Sequence, residues 1–445
     1  MKTIGKFAKI LFGLGFGDEG KGTMTDYLCN NLGANLVVRY NGGSQAAHNV
    51  VTDDGRHHTF SQIGSGAFVP GVKTLISKFM LWDPIKLALE VGVLSPKIGV
   101  HALNFHYIDY RAPVITPFHI AANQIKEWMR GKDRHGSCGQ GVGETACDLL
   151  YYQDQVLRAG DLSKKKISRN KLIAIQQRIQ EDLADLGYDS RLVPDYLKKM
   201  SDMLFNSKEP ILIAEAYAEM ATEFNIISCV NSNKLIHDSN VIFEGAQGVL
   251  LDEWRGFHPY TTWSNTLPTN ALDLINESGF DGDVEKIGII RTYGTRHGAG
   301  PFVTEDQKFL GTNFFEHNDI NHWQGDFRTG GFDGVKLRYA IDCVRSAGGI
   351  DSIALTHVDS FKQGGIPFAD DYILPSGEIL HKLVLSSSNN LGHQETLTKL
   401  LQTAVLSKMS HFSNLQEMIT YLAANAKVPV KYQSFGPKTK DKITV

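Results

Sequence analysis

The sequence predicts an α/β fold: a large central, mostly parallel sheet flanked by helices, with a helical insertion and smaller β-containing subdomains. Three observations lead there. Short apolar runs with strand character alternate with helical stretches. The first of these runs passes through a glycine-rich turn directly into a helix. Several later runs stop abruptly in polar or glycine-rich residues, as strands do where ligands sit at the carboxyl ends of a sheet. At 445 residues the chain is long enough for one large core carrying inserted subdomains, and we treat 1–445 as a single such unit.

Residues 8–16 read as the first strand, followed by a glycine turn and a helix from about 23 to 32. A second apolar strand covers 36–39. Asp54-Gly55, set between HNVVTD and RHHTFSQ, signals a two-residue hairpin. From about 164 to 222 the character changes: KLIAIQQRIQEDLADLG and VPDYLKKMSDMLF carry apolar residues at helical spacing with almost no strand signal, so a helical insertion is expected. Strands return in NVIFEGA (240–246), KIGIIRTY (286–293) and DSIALTHVD (351–359). The tail, about 365–445, combines a hairpin-like stretch (ADDYILPSGEILHKL), a helix (NLQEMITYLAANA) and a last strand (VPVKYQSFG).

Composition narrows the function classes. Hydrophobic residues at 42% and charged residues at 21% are ordinary for a soluble globular protein. A net charge of −3 gives no electrostatic case for nucleic acid or an anionic membrane as main partner. No segment approaches membrane-spanning length. The five cysteines, Cys29, Cys138, Cys147, Cys229 and Cys343, are dispersed and form no CxxC, which argues against a zinc cage or disulfide framework and for reduced thiols in cytoplasm. The apolar N-terminal run is short, is broken by glycines and ends in acidic residues, so a buried strand is a better reading than a signal peptide.

The segment Gly15-Phe16-Gly17-Asp18-Glu19-Gly20-Lys21-Gly22-Thr23 links strand to helix. Backbone N–H groups in such a turn, backed by a helix N-terminus, form an anion site, and Lys21 can reach a terminal phosphate. The spacing matches a P-loop except at its last position, where Gly22 stands in place of the magnesium-binding hydroxyl. A carboxylate beside a triphosphate is repelled unless it ligates the metal or takes a proton, so Asp18 points to chemistry. NGGSQAAHN (41–49) joins a glycine turn to His48. FEGAQGVLLDEWRGFHPYTTWSNT (243–266) and TYGTRHGAGPFVTED (292–306) are long polar, glycine-rich runs behind strands. LTHVDS (355–360) carries a Thr-x-x-Asp with which a carboxylate can read the N1–H and 2-amino edge of guanine.

Taken in this order, GFGDEGKG, NGGSQAAHNV, FEGAQGVLLD, TRHGAGPFVTE, THVD and SFGP resemble adenylosuccinate synthetases along nearly the whole chain. The resemblance implies a homodimeric ligase that joins L-aspartate to C6 of a purine monophosphate with GTP and one Mg2+. By position, Asp18 is similar to the base that removes the purine N1 proton and His48 to the residue assisting phosphoryl transfer, with Lys21 stabilising the transferred group. Asp18 and the carbonyl of Ala47 would hold the metal. Gly17, Glu19, Gly20, Gly22, Thr23, Asp359, Ser434 and Gly436 would bind the triphosphate, the last two from a C-terminal subdomain (365–445) that completes that site. Gln45, Ser137, Cys138, Gln247 and Thr262 would bind the monophosphate, and Thr304 and Arg328 the aspartate.

The departures carry information too. Where the family has Thr-Thr-x-x-Gly-Ile-Gly-Pro, this chain has Ser137-Cys138-Gly139-Gln140-Gly141-Val142-Gly143-Glu144. The arginine that usually follows, supplied across the dimer interface, has no counterpart before Arg158. The arginine-rich aspartate loop is reduced to HWQGDFRTGGFD (322–333), with Arg328 alone, and His357 replaces the lysine of Thr-Lys-x-Asp. These changes look similar to a divergent branch that acts on GMP or dGMP and makes a 2-amino succinyl-adenylate, with ATP as alternative donor; retention of Asp18 favours IMP. A reading from another class, a nucleotide-binding switch without ligase activity, is opposed by Gly22 and by the two additional ligand-rich segments.

Overall fold

A computed structural model describes residues 5–306, 323–363 and 365–445. His322, at the start of the expected aspartate loop, lies outside them. A sheet of ten strands forms the centre, in the spatial order Lys442–Thr444, Val430–Ser434, Ser352–Thr356, Asp283–Arg291, Phe7–Gly13, Val241–Gly248, Leu36–Arg39, Lys73–Ile76, His106–Asp109 and Asn225–Ile227. Every neighbouring pair is parallel except the first, where the C-terminal strand turns back on Val430–Ser434. The fold class read from the sequence is therefore the one observed, and Val430–Ser434 is followed by a further strand instead of being the last.

The strand order explains where a ligand can bind. From Phe7–Gly13 the chain first fills one side of the sheet, then returns through Val241–Gly248 and crosses to Asp283–Arg291 on the other. The first strand thus lies at a topological switch point, where a crevice opens at the carboxyl edge. Strands buried on both faces, such as Leu36–Arg39 and Ser352–Thr356, need continuous apolar runs, and that is how they read.

Three helices occupy the 164–222 stretch: Lys165–Asp185, Asp195–Phe205 and Glu209–Met220. Leu172, Ile175, Leu183, Leu197, Leu204 and Tyr217 share one buried cluster with Phe118 and Ile125 of the helix Pro117–Arg130. Each such buried Leu or Ile stabilises the packing by ~1.5–3 kcal/mol.

Two local expectations are corrected. The first strand ends at Gly13, not 16: Leu14 N–H still reaches the Ile289 carbonyl (2.8 Å), but the next amides turn toward Glu19. The hairpin His48–Val51/His57–Phe60 is closed by Thr52 N–H to the Arg56 carbonyl (2.9 Å), leaving a three-residue loop instead of two, with Gly55 at φ +89°. A positive φ at the third position is what a three-residue loop demands.

Candidate active site

At the carboxyl edge lies a cavity of about 1100 Å³, larger than a single nucleotide requires. Gly17, Asp18, Gly20, Lys21, Gly22, Thr23, Gln45, Ala47, His48, Ser137, Cys138, Gln247, Thr262, Asp359, Ser434 and Gly436 all line it. Residues up to about 420 positions apart in sequence are thereby brought to one wall system, because six sheet strands end there.

The glycine loop is built by its own acids. Glu19 folds inward: its Oε1 accepts from the N–H groups of Gly15 (3.1 Å) and Gly17 (2.8 Å), and its Oε2 meets Lys21 Nζ at 2.5 Å. Its carboxylate is therefore part of the loop, not of the cavity wall, and Gly13 leaves room for it: a Cβ there would sit 2.2 Å from Glu19 Oε2, so the carboxylate would have to move. Asp18, at φ +61°, is turned the opposite way, into the cavity. Burial pushes its carboxyl above the ordinary range, opposed by Arg291 and Lys21. A base held closer to neutral pH in this way is better matched to proton abstraction. Helix Lys21–Leu32 starts immediately behind, and Gly20 at φ +89° caps it.

Gly22 has a steric cause. A Cβ at this position would lie 2.7 Å from His48 Cβ and 3.0 Å from Ser65 Oγ. The hydroxyl of a P-loop is excluded because His48 occupies its space.

His48 is held by a carboxylate that the sequence reading passed over. Its Nδ1 lies 2.6 Å from Glu244 Oε1, and Glu244 also accepts from Ser65 N–H (2.9 Å) and from Ser65 Oγ. Arg39, paired with Glu244 in the strand register, brings its guanidinium to 4.0 Å. Burial would raise the Glu244 carboxyl, but Arg39 and His48 hold it down at about 2. Burial lowers His48, with Glu244 opposing. An ionised Glu244 fixes the tautomer with Nδ1–H, leaving Nε2 for a ligand. The available signal was a charged residue inside each of two apolar strands, LVVR and VIFE, since buried charges come paired.

The end of the cavity around Asn41, Gln45 and Gln247 is less complete in itself. Asn41 joins two motifs, donating to the carbonyls of Ala246 (3.3 Å) and Asn265 (2.9 Å) and accepting from Ala246 N–H (2.7 Å). Beside it, the side-chain oxygens of Gln45 and Gln247 are buried without a hydrogen-bond partner, and Gln247 sits at φ +62°. Ser137 donates to Asn123 Oδ1 (3.0 Å), which also accepts from Gly141 N–H (3.1 Å), so Asn123 shapes the 137–144 loop. Arg130 and His135 also line this end. Arg158 is not on the wall; it donates to the Arg111 carbonyl at 2.8 Å.

Thr304 and Arg328 do not line the cavity either. Thr304 is buried. The Arg328 guanidinium pairs with Glu305 and donates to the carbonyls of Gly298 (3.0 Å) and Gly300 (2.9 Å). Arg291, whose Nε donates to the Asp18 carbonyl (2.5 Å), and Arg296 do line it. Neither was singled out from sequence, although Arg291 ends a strand and Arg296 stands inside the TYGTRHGAGP run. At the other end, Thr23 Oγ1 donates to the Pro437 carbonyl (2.9 Å). His357, at φ +58°, is held far below the usual imidazole range by burial and by Arg291 and Lys442, so it carries no charge in place of the family's lysine.

Fold and site together define an α/β nucleotide-dependent enzyme. The chain matches the family model described as adenylosuccinate synthetase over residues 10–443. It is 30% identical to the adenylosuccinate synthetase of Mesoplasma florum, covering 96% of both chains, and 31% identical to that of a Marinomonas species, covering 98% of both. In fold it is similar to the fully ligated adenylosuccinate synthetase of Plasmodium falciparum (TM-score 0.76, 20% identity, 98% and 99% covered). It is also similar to the cyanophage S-2L succinoaminodeoxyadenylate synthetase bound to dGMP and dATP as an energy donor (TM-score 0.60, 16% identity, 99% and 95% covered). The chain belongs to the adenylosuccinate synthetase family, whose members are ligases forming a carbon–nitrogen bond and generally use GTP and Mg2+. No helix among the described residues is long and apolar enough to cross a membrane.

Proposed function

We propose that the chain ligates L-aspartate to C6 of IMP, driven by GTP, as a cytoplasmic homodimer. The observation that carries this reading is the convergence on one cavity of a carboxylate facing inward (Asp18), an imidazole backed by an ionised carboxylate (His48–Glu244), a loop lysine (Lys21) and an orphaned amide (Gln247).

Asp18 removes the N1 proton of IMP, and the resulting 6-oxyanion attacks the γ-phosphorus as the bond to GDP breaks. Lys21, held in place by Glu19, and the loop amides that Glu19 does not take oppose the charge on the transferring group. His48 assists as acid and hydrogen-bond donor through Nε2 when doubly protonated, a form that burial disfavours and Glu244 supports. The aspartate amine then adds to C6, the C6–O bond breaks with phosphate as leaving group, and the amine gives up its proton. Gln247 and Gln45 orient the purine with the side-chain oxygens that find no protein partner.

Mg2+ fits the donor set. The Asp18 carboxylate and the Ala47 carbonyl are hard oxygen donors on the same wall, and hard cations of this size are bound by one or two protein oxygens together with phosphate and water. When bound, the ion neutralises phosphate charge; a carbonyl donor explains why alanine serves at 47.

The second reading, GMP or dGMP as acceptor with ATP as alternative donor, is favoured by the uncharged His357 and by the altered 137–144 loop. Purified protein with IMP, GTP, aspartate and Mg2+ should produce the absorbance of adenylosuccinate. Turnover with dGMP or GMP but not with IMP would replace the first reading by the second; nucleotide hydrolysis without ligation to any purine would remove both.

A further inference from the structure

Behind the glycine loop, cations and aromatic rings alternate in a ladder. The Arg296 guanidinium lies 4.1 Å from the centre of the Phe16 ring. On Lys336 the amine is 5.1 Å from the Phe16 ring centre and 4.9 Å from that of Phe302. The Arg328 guanidinium lies 5.5 Å from the Phe302 ring. Phe16 belongs to the glycine loop, one residue before Gly17; Phe302 belongs to the segment that leads to Thr304.

The same two arginines grip the turn between them on alternate carbonyls. Arg296 donates to Ala299 (2.9 Å) and Pro301 (3.1 Å), and Arg328 to Gly298 (3.0 Å) and Gly300 (2.9 Å). Gly300 makes room for this: a Cβ there would be 2.1 Å from Arg296 Nη2. The turn 298–301 therefore moves with both guanidiniums, and the rings between them join it to the glycine loop.

Lys336 is the central rung and an unusual occupant of its place. It is buried on the helix Gly334–Arg345, its amine makes no hydrogen bond within normal limits, and its counter-ion is Asp333 Oδ2 at 3.1 Å. A buried cation between two ring faces is attracted to both, so neither ring moves without changing its contact with the other. The packing is not closed: a cavity of about 60 Å³ lies among Phe16, Phe302, Asp333 and Lys336, which leaves Phe16 room to shift when the loop takes up a phosphate.

We infer that Lys336 is a positioning residue: through Phe16 and Phe302 it transmits occupancy of the glycine loop to the 298–305 segment, ordering the aspartate side of the site when the triphosphate binds. The inference rests on the proposed function for what the segment holds, but not for the coupling itself.

The test is hydrogen–deuterium exchange of the full chain with and without GTP and Mg2+. In the native protein, nucleotide should slow exchange at 15–23 and also at 300–306. Lys336→Met should keep the first effect and lose the second, and Lys336→Arg should restore it. Because Lys336→Met leaves Asp333 buried without its counter-ion, the pair Lys336→Met/Asp333→Asn removes the rung while keeping the charge balanced and an acceptor at the helix N-cap, and should behave as the single variant does. In the ligation assay at saturating GTP, Lys336→Met should raise the KM for aspartate by roughly fivefold or more, while GTP affinity measured by calorimetry without aspartate should change by less than about twofold. Protection at 300–306 that persists in both Met variants would overturn the coupling, as would its absence in the native protein while 15–23 is protected. The exchange pattern with no ligation of any purine would leave the coupling standing and remove the proposed function.

Discussion

The glycine-loop side and the Gln45–Gln247 side of the cavity are built on different plans. On the glycine-loop side the protein pairs the groups around the wall: Glu19 takes the amides of Gly15 and Gly17 and Lys21, Glu244 takes His48 and Ser65, and Lys442 donates to the carbonyls of Gly436, Pro437 and Lys438. The unpartnered atoms of Thr25, Asp26 and Arg39 belong to residues off the wall. On the other side, Gln45 Oε1 and Gln247 Oε1 are buried with no partner. Buried polar groups are normally paired, so these two orphans on residues of the cavity wall mark a place where a ligand can supply the missing bonds. The first side is preorganised for charge; the second is completed by binding.

Asp18 stands at the seam and should show the largest effect. Asp18→Asn keeps the shape and removes the base; kcat should fall by about 10³-fold or more, while triphosphate binding measured by calorimetry stays within a few-fold. Ligation that persists at near-native rates would mean that the proton is taken elsewhere.

Gly22→Ser probes the preorganised side and restores the P-loop pattern. Because the new Cβ meets His48 at 2.7 Å, it should reduce kcat by about 10²-fold, and the overpacking should lower stability by about 1–3 kcal/mol, read as a drop in Tm. Unchanged or improved activity would show that His48 has room to move, and that the side is less rigid than its hydrogen bonds imply.

The smallest effect sharpens the contrast. Gln45→Ala removes an acceptor that has no partner in the ligand-free protein, so Tm should hold or rise slightly. The KM for the purine monophosphate should rise by about tenfold. A loss of stability with unchanged KM would place Gln45 with the structural groups and erase the distinction between the two sides.

Much of this was legible in sequence, for identifiable reasons. The strand segments 36–38, 241–243 and 353–355 are buried on both faces and so read as apolar runs. The glycine loop was visible because its glycines, acid and lysine are adjacent in the chain and their spacing carries the chemistry. The 137–144 loop was recognised only as a departure; its shape depends on Asn123, on a helix that precedes it. Glu244, Arg291 and Arg296 were missed because their roles depend on partners 196, 273 and 280 residues away, across crossings that no local pattern reports.

By itself, the sequence determined the parallel α/β architecture, the family and the position of the loop acid, since periodicity and contiguous motifs express short-range physics. Only the tertiary structure decided which way each acid of that loop faces, why residue 22 has no side chain, and that Arg328 is engaged by its own chain and not by the cavity. Those depend on the direction of side chains meeting across sheet strands, where a few tenths of an ångström separate contact from collision.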